Sequence, residues 1–242
     1  MKKEYIHNFF IEQLSVRGIL INDVQLSQFE TYFNELVLWN EKINLTAITD
    51  KNEVYIKHFF DSISCTFFCD ISGFNSLVDI GSGAGFPGIP LKILYPSLSV
   101  TIIDSLNKRI QFVQHLTNKL SLSNVNCIHG RAEDIARDKL YRARFDIATA
   151  RAVAKLSILN ELCLPFVKKN GFFLVMKGPD IHDEISDSTF SLNELNSKII
   201  DIFRLELPND SAIRHIIKIN KFGETSNKYP RRPGIPSKSP LI

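Results

Sequence analysis

The hydrophobic rhythm of the chain changes once, near Gly73. Before it, apolar residues recur at helical spacing. Tyr5, Ile6, Phe9, Phe10 and Leu14 fall on one face, and Gly18 is placed to end that helix. Ser27 and Glu30 have the spacing of a capping box ahead of a second helix striped by Tyr32, Phe33, Leu36 and Val37. Asp50 and Glu53 repeat that spacing before a third helix carrying Ile56, Phe59, Phe60 and Ile63. After Gly73, short apolar runs at 77–80, 100–103, 125–128, 145–148 and 172–176 alternate with helical stretches such as 108–120 and 154–164. This alternation predicts βαβ units and a parallel, doubly wound sheet. Two further β-rich runs, 199–207 and 212–219, flank a short turn containing Pro208, Asn209 and Asp210, which predicts an antiparallel hairpin.

Composition adds limits. At 242 residues and 44% hydrophobic content, the chain can bury a core without disulfides or a structural metal. The net charge of +3 conceals an uneven distribution. Residues 214–242 hold seven basic side chains and one acid, Glu224, so this end is near +6 and the rest near −3. A basic end on an acidic body suits a polyanion met at one place; a solvated, mobile tail is the competing reading. The pattern divides the chain into an N-terminal helical segment (1–72), a sheet domain (73–222) and a basic tail (223–242). No apolar run reaches the length of a membrane span, and the N-terminus is amphipathic rather than signal-like. Cys65, Cys69, Cys127 and Cys163 form no CxxC pair, so reduced thiols in the cytoplasm, and no metal, are expected.

The strongest chemical signal is the run Val78-Asp79-Ile80-Gly81-Ser82-Gly83-Ala84-Gly85-Phe86-Pro87-Gly88, a strand entering a glycine-rich turn that opens a helix. Two nucleotide-loop patterns fit. Gly83, Gly85 and Gly88 match the dinucleotide GxGxxG, and Asp79, Gly81, Gly83 and Gly85 match an S-adenosylmethionine loop. Electrostatics favours the second: a carboxylate at Asp79 would repel a pyrophosphate and attract an ammonium or sulfonium. Asp104, ending the next strand, is placed to accept ribose hydroxyls, or to cap the helix after it. The run 130–134 offers main-chain groups for an adenine edge, or simply an acidic helix start. Arg151 ends the fourth strand, where an arginine anchors a carboxylate or phosphate. Lys177 ends the fifth strand in the same row and is a further candidate contact for RNA. His58 and Asp61, three apart on a helix, are expected to be a structural pair, with RNA positioning by His58 as the alternative.

Together these residues resemble the glucose-inhibited division protein B family. The resemblance spans nearly the whole chain and rests on Asn44-Leu45-Thr46-Ala47-Ile48, His58-Phe59-Phe60-Asp61-Ser62, the loop from Asp79 to Pro90, Thr149-Ala150-Arg151-Ala152 and Tyr229-Pro230-Arg231-Arg232-Pro233-Gly234. Ile235 departs from it, since the family often has Thr there. The resemblance implies a class I S-adenosylmethionine-dependent methyltransferase fold. It also implies methyl transfer to N7 of a guanine in the decoding-region loop of small-subunit (16S) ribosomal RNA. By this similarity Gly81 and Phe86 line the methionine side of the cofactor, Ala132 and Glu133 the adenosine side, and Arg151 completes the site. Guanine N7 carries an exposed lone pair, so no general base is expected and catalysis should rest on alignment. Arg231, Arg232 and Lys238 are the expected phosphate contacts of the tail. The expected partner is small-subunit RNA or the 30S particle, met by a monomer. The rival readings are a nicotinamide-dependent oxidoreductase on the same type of sheet and a non-catalytic ribosome assembly factor.

Overall fold

The computed structural model describes residues 2–242. The first helix, α1 (Lys2–Ser15), ends as its glycine predicts: Gly18 is left-handed at φ 76°, and the Ile19 N–H donates back to the Leu14 carbonyl at 3.0 Å. The second helix, α2 (Asp23–Asn40), has its N-cap at Asn22, five residues before the expected Ser27. Its capping box is Asn22 with Gln25, each side chain accepting the other's backbone N–H at 2.9 Å. Ser27 and Glu30 therefore lie inside the helix. Asn and Gln serve the same roles as Ser and Glu, and Gln25 also donates to the Ile93 carbonyl. The third helix, α3 (51–67), is capped by Asp50 as expected but is π-wound over Val54–Phe60 before tightening to 3₁₀ at Ser64–Phe67.

Seven strands follow: β1 (Ser76–Ile80), β2 (Ser99–Asp104), β3 (Val125–His129), β4 (Phe145–Arg151), β5 (Val167–Lys177), β6 (Ser197–Glu206) and β7 (Ile213–Lys221). They form one sheet in the order β3-β2-β1-β4-β5-β7-β6. The first five are parallel and β7 is antiparallel to both β5 and β6, which bears out the predicted sheet and hairpin. The crossovers carry α4 (Gly88–Leu94), α5 (Asn107–Lys119), α6 (Ala132–Ile135), α7 (Leu156–Cys163), α8 (His182–Asp187) and α9 (Thr189–Glu194). Side-chain alternation splits the core in two. Leu77, Val100, Ile102 and Leu174 pack with Phe10, Phe29, Leu36 and Phe59, so α1, α2 and α3 share one hydrophobic core with that face. Val78, Ile103, Phe173 and Val175 face α7 and, with it, Tyr229 and Leu241 of the C-terminal segment.

That segment is not the mobile tail allowed by its charge. Tyr229 and Leu241 are buried, and Arg142 donates to the carbonyls of Thr225, Ser226 and Tyr229 at 2.8–3.0 Å. Arg231 grips the fully buried Glu161 through its guanidinium, at distances down to 2.6 Å, and through its backbone N–H. The segment ends in a short helix, α10 (Ile235–Lys238). Of the seven basic residues counted at this end, Lys221 is buried on the carbonyls of Leu164 and Val167, Lys228 pairs with Glu194, and Arg214 lies in β7. Part of the surplus charge, at Arg214, Lys221 and Arg231, is thus spent inside the fold.

Removing a partner from a buried ion pair strands the remaining charge. Arg231→Ala should therefore lower the free energy of unfolding in urea by about 3 kcal/mol, whereas Arg232→Ala, at an exposed site, should change it by less than about 0.5 kcal/mol. Equal effects would contradict the assignment of Arg231 as the anchor.

Candidate active site

The glycine turn is built around Asp79. Alternation along β1 puts its side chain on the Leu77 face, under α4, where it is fully buried. Its Oδ2 accepts the Ser82 hydroxyl at 2.6 Å and the Gly88 N–H at 2.8 Å, tying the strand end to the helix start. Burial raises its pKa to about 6, against the pull of these hydrogen bonds and of Arg151. The expectation that this carboxylate faces a cofactor directly is corrected on one point: it sits beneath the loop, and its other oxygen, Oδ1, is buried without a partner. Two glycines are required by shape. Gly81 is left-handed at φ 69°, and a Cβ there would lie 2.8 Å from a Val153 methyl. Gly85, at φ 98°, would meet the Tyr32 hydroxyl, also at 2.8 Å.

On the far side of the loop lies a cleft bounded by Gly81, Asp104, Gly130, Ala132, Glu133 and Val153. Asp104 accepts the Gly83 N–H at 3.0 Å and the Leu106 N–H at 2.8 Å, so it does act at the entry to α5. A carboxylate has about four lone-pair directions, which leaves about two for hydroxyl donors in the cleft. Glu133 accepts the Gly234 N–H at 3.0 Å, bringing the C-terminal segment to the edge of this cleft.

A second cleft, of about 370 Å³, opens at the carboxyl ends of β4 and β5. His58, Asp61, Arg151, Lys177 and Arg214 line it. The expected His58–Asp61 pair does not form. The π-turn carries Asp61 toward two arginines, whose Arg151 Nη1 and Arg214 Nε lie 3.0 and 3.3 Å from Oδ2. His58 instead meets the Thr46 hydroxyl at 2.7 Å through Nε2, and its Nδ1 lies 3.2 Å from the Lys57 carbonyl. An Arg151 Nη2 donor also lies 3.4 Å from Nδ1, so the neutral ring either donates to the Lys57 carbonyl and accepts from Thr46, or accepts from Arg151 and donates to Thr46. Phe86 does not offer an open face to a sulfonium. It is stacked between Tyr32 at 5.3 Å and His58 at 4.7 Å, with the Arg151 guanidinium 4.9 Å from its centroid. Lys177 is held by the Ala154 carbonyl and Glu184, both at 2.6 Å, and Arg231 by Glu161, so neither is free for a phosphate as expected. Arg232 and Lys238 are exposed. Residues missed from sequence are Tyr32, which donates to the Ala84 carbonyl, Thr46, and Arg214, which β7 delivers to this edge by running antiparallel to β5.

The sheet order and the glycine loop define a methyltransferase of the Rossmann-like class. Solved structures with this fold include M. jannaschii TYW2 in complex with AdoMet (20% identity, TM-score 0.51, covering 68% of this chain and 76% of that one). TrmN from Thermus thermophilus matches at 12% identity and TM-score 0.54, over 69% of this chain and 53% of that one. A family model described as GidB, rRNA small subunit methyltransferase G, matches residues 25–209. Curated relatives called ribosomal RNA small subunit methyltransferase G are 51% identical in Staphylococcus saprophyticus, over 96% of both chains, and 49% identical in Macrococcus caseolyticus, over 96% of this chain and 98% of that one. The chain belongs to this family. It is an enzyme of the methyltransferase class, which sets aside the nicotinamide and non-catalytic readings.

Burial, followed by the charge of Arg151, lowers the His58 pKa to about 3, so its ring is neutral throughout the physiological range. The single-turnover rate should therefore show no His58 ionisation between about pH 5 and 8. A limb near pH 6.5 that vanishes in His58→Gln would overturn this.

Proposed function

We propose that the enzyme transfers the methyl group of S-adenosylmethionine to N7 of a guanine in the decoding-region loop of small-subunit ribosomal RNA. One observation carries the reading. The turn after β4 joins the two clefts, with Val153 on the first and Arg151 and Ala152 on the second, and the imidazole beside them is held neutral with both ring nitrogens engaged, Nε2 by Thr46 and Nδ1 by the Lys57 carbonyl or Arg151. A nucleophile that had to lose a proton would find no poised base in that ring. Guanine N7 needs none, because its lone pair is exposed in the ring edge.

The residues present fit the cofactor. Asp104 retains acceptor capacity at the end of β2, the left-handed Gly81 opens the cleft floor, and the unpartnered Asp79 Oδ1 leaves negative potential unspent beneath the loop. The cofactor supplies an activated methyl group. Asp104 would hold the ribose, Ala132 and Glu133 would border the adenosine, and Gly81, Gly83 and Gly85 would let the chain approach the methionine side. What the protein contributes is alignment and exclusion of water, worth several orders of magnitude when the reacting atoms are held in line. Phe86 acts through packing: stacked under His58 and Arg151, it fixes both at the border of the second cleft.

The RNA partner, whether naked RNA or the 30S particle, is met in this reading by a monomeric cytoplasmic enzyme whose four cysteines remain free thiols. Among the described residues no helix is long and apolar enough to cross a membrane. Arg232 and Lys238 are the phosphate contacts that remain once Lys177 and Arg231 are spent internally.

Two measurements test this. Mass mapping of small-subunit RNA treated with enzyme and cofactor should find a single 7-methylguanosine in the decoding-region loop; methylation elsewhere would refute the assignment. The double substitution Arg232→Ala with Lys238→Ala should flatten the log–log salt dependence of RNA binding by about 1–2. An unchanged slope would remove this end of the chain from the RNA footprint.

A further inference from the structure

A second concentration of positive charge lies at the edge of the sheet opposite both clefts. Ala143 and Arg144 lead into β4, Pro165 leads into β5, and Lys221 closes the antiparallel β7, so all four meet at the amino ends of β4 and β5. There they border a pocket of about 310 Å³ together with Lys139, Arg142, Glu224 and Thr225. A strand rises about 3.3 Å per residue, so the length of β4 puts this pocket roughly 20 Å from the carboxyl-end clefts. Four cations line it against one acid, a surplus equal to the +3 of the whole chain. The two inner cations are fixed by main-chain oxygens. Arg142 donates to the carbonyls of Thr225, Ser226 and Tyr229, and Lys221 to those of Leu164 and Val167. A carbonyl satisfies an N–H without cancelling its charge. The two outer cations, Lys139 and Arg144, are exposed, and Arg144 spends only its Nε, on the Lys139 carbonyl. Among the described residues no carboxylate pairs with any of the four, although Lys57, Arg151, Lys177 and Arg214 of the second cleft each have one. The crowding registers on Lys221, whose pKa falls to about 8 through burial first and the Arg142 charge second.

The pocket is also one end of a continuous path. The C-terminal segment starts here, where Arg142 holds Thr225 and Ser226. It runs past α7 through the Arg231–Glu161 pair and reaches the first cleft where Gly234 meets Glu133. Its exposed Arg232 and Lys238 flank Gly234 at that end, and the exposed Lys139 and Arg144 mark the other. We infer that the pocket is a further phosphate contact for the RNA substrate, in which Lys139 and Arg144 grip the backbone while Arg142 and Lys221 hold the local potential positive. The RNA footprint then extends along the C-terminal segment from the first cleft to the opposite edge of the sheet. The inference rests on ribosomal RNA being the substrate and does not depend on which base is methylated. Exposed cations over fixed inner ones suit a phosphodiester: the free side chains reach the oxygens, and the inner charges, with no anion of their own, deepen the potential without needing contact. A basic track of this length engages several nucleotides at once, whatever their sequence.

The test is the salt dependence of small-subunit RNA binding by the whole enzyme. Lys139→Ala with Arg144→Ala should flatten the log–log slope by about 1–2, with the melting temperature and the affinity for S-adenosylmethionine unchanged. Combined with Arg232→Ala and Lys238→Ala, the two decreases should add. Lys139→Arg with Arg144→Lys keeps both charges and should keep the wild-type slope. Lys119→Glu, at the exposed end of α5, removes the same two units of net charge outside the pocket and should leave the slope nearly unchanged. An unaltered slope in the double alanine variant overturns the proposal. So does equal flattening by Lys119→Glu, which would credit net charge, or a flattened slope in the charge-keeping variant, which would credit local structure. Inorganic pyrophosphate bound by the wild type and lost in the double alanine variant, with no change in the RNA slope, would give the pocket to a small free anion instead. A wild-type enzyme that binds no small-subunit RNA defeats the RNA reading itself, and the proposal with it. Salt-dependent wild-type binding that ignores Lys139 and Arg144 defeats the proposal alone.

Discussion

The site hangs on one buried carboxylate. Asp79 ends β1 inside the protein, and its Oδ2 gathers the Ser82 hydroxyl and the Gly88 N–H. Those two hydrogen bonds decide how the chain turns between strand and helix, and the turn then sets Gly81 against Val153 and Gly83 against Asp104. The arrangement is electrostatically expensive. Burial holds the Asp79 pKa near 6, well above the ordinary aspartate value, and Oδ1 goes unpaired. The folded state therefore takes up a proton more readily than the unfolded chain, so this group's contribution to stability declines as pH rises from about 4 to 6 and is constant above. A cation delivered beside the loop would relieve that penalty, which is why a loop this costly suits a ligand that carries positive charge.

Two distant parts of the chain brace the loop. From one side, α2 and α3 supply Tyr32, Phe59 and His58, which enclose Phe86, and the Tyr32 hydroxyl donates to the Ala84 carbonyl. From the other, the C-terminal segment is bolted to α7 through Arg231 and Glu161 and touches the first cleft through Gly234 and Glu133. The N-terminal helices and the basic end, which look like appendages in sequence, thus border opposite clefts. Both clefts are lined by the same turn after β4, where Ala152 is left-handed at φ 55°.

The sheet was legible because burial on both faces leaves short apolar runs separated by helices, and because a turn too short for a crossover forces the last two strands to be antiparallel. The glycine loop was legible for a similar reason: only a few residues tolerate left-handed backbone. What stayed hidden depends on long-range geometry. No local pattern tells that β7 inserts between β5 and β6, and that insertion alone carries Arg214 to the edge where Asp61 waits. The spacing of His58 and Asp61 suggested a pair because α-helical geometry was assumed. The π-winding of Val54–Phe60 changes the angle between them and sends each to a different partner. Arg231 looked available because charge says nothing about a buried acid seventy residues away. Ser27 and Glu30 match a capping box that Asn22 and Gln25 provide earlier, since a motif of four residues is outvoted by the packing of the helix that contains it.

The charge of the second cleft has a logic of its own. An RNA enzyme needs cations to attract phosphate, yet a reaction that makes the base cationic is opposed by any cation close to the ring. The protein separates the two requirements in space. Around the cleft, Lys57, Arg151, Lys177 and Arg214 are each held by a carboxylate, so their fields are short-ranged. The exposed Arg232 and Lys238 line neither cleft and flank Gly234, whose N–H donates to Glu133. Neutralising arginines with a shared aspartate, rather than omitting them, preserves their geometry: Arg151 still stacks on Phe86, and through it braces the glycine loop. The ion pairs around the second cleft thus serve as scaffolding, and the proposed reading leaves phosphate contact to the exposed Arg232 and Lys238.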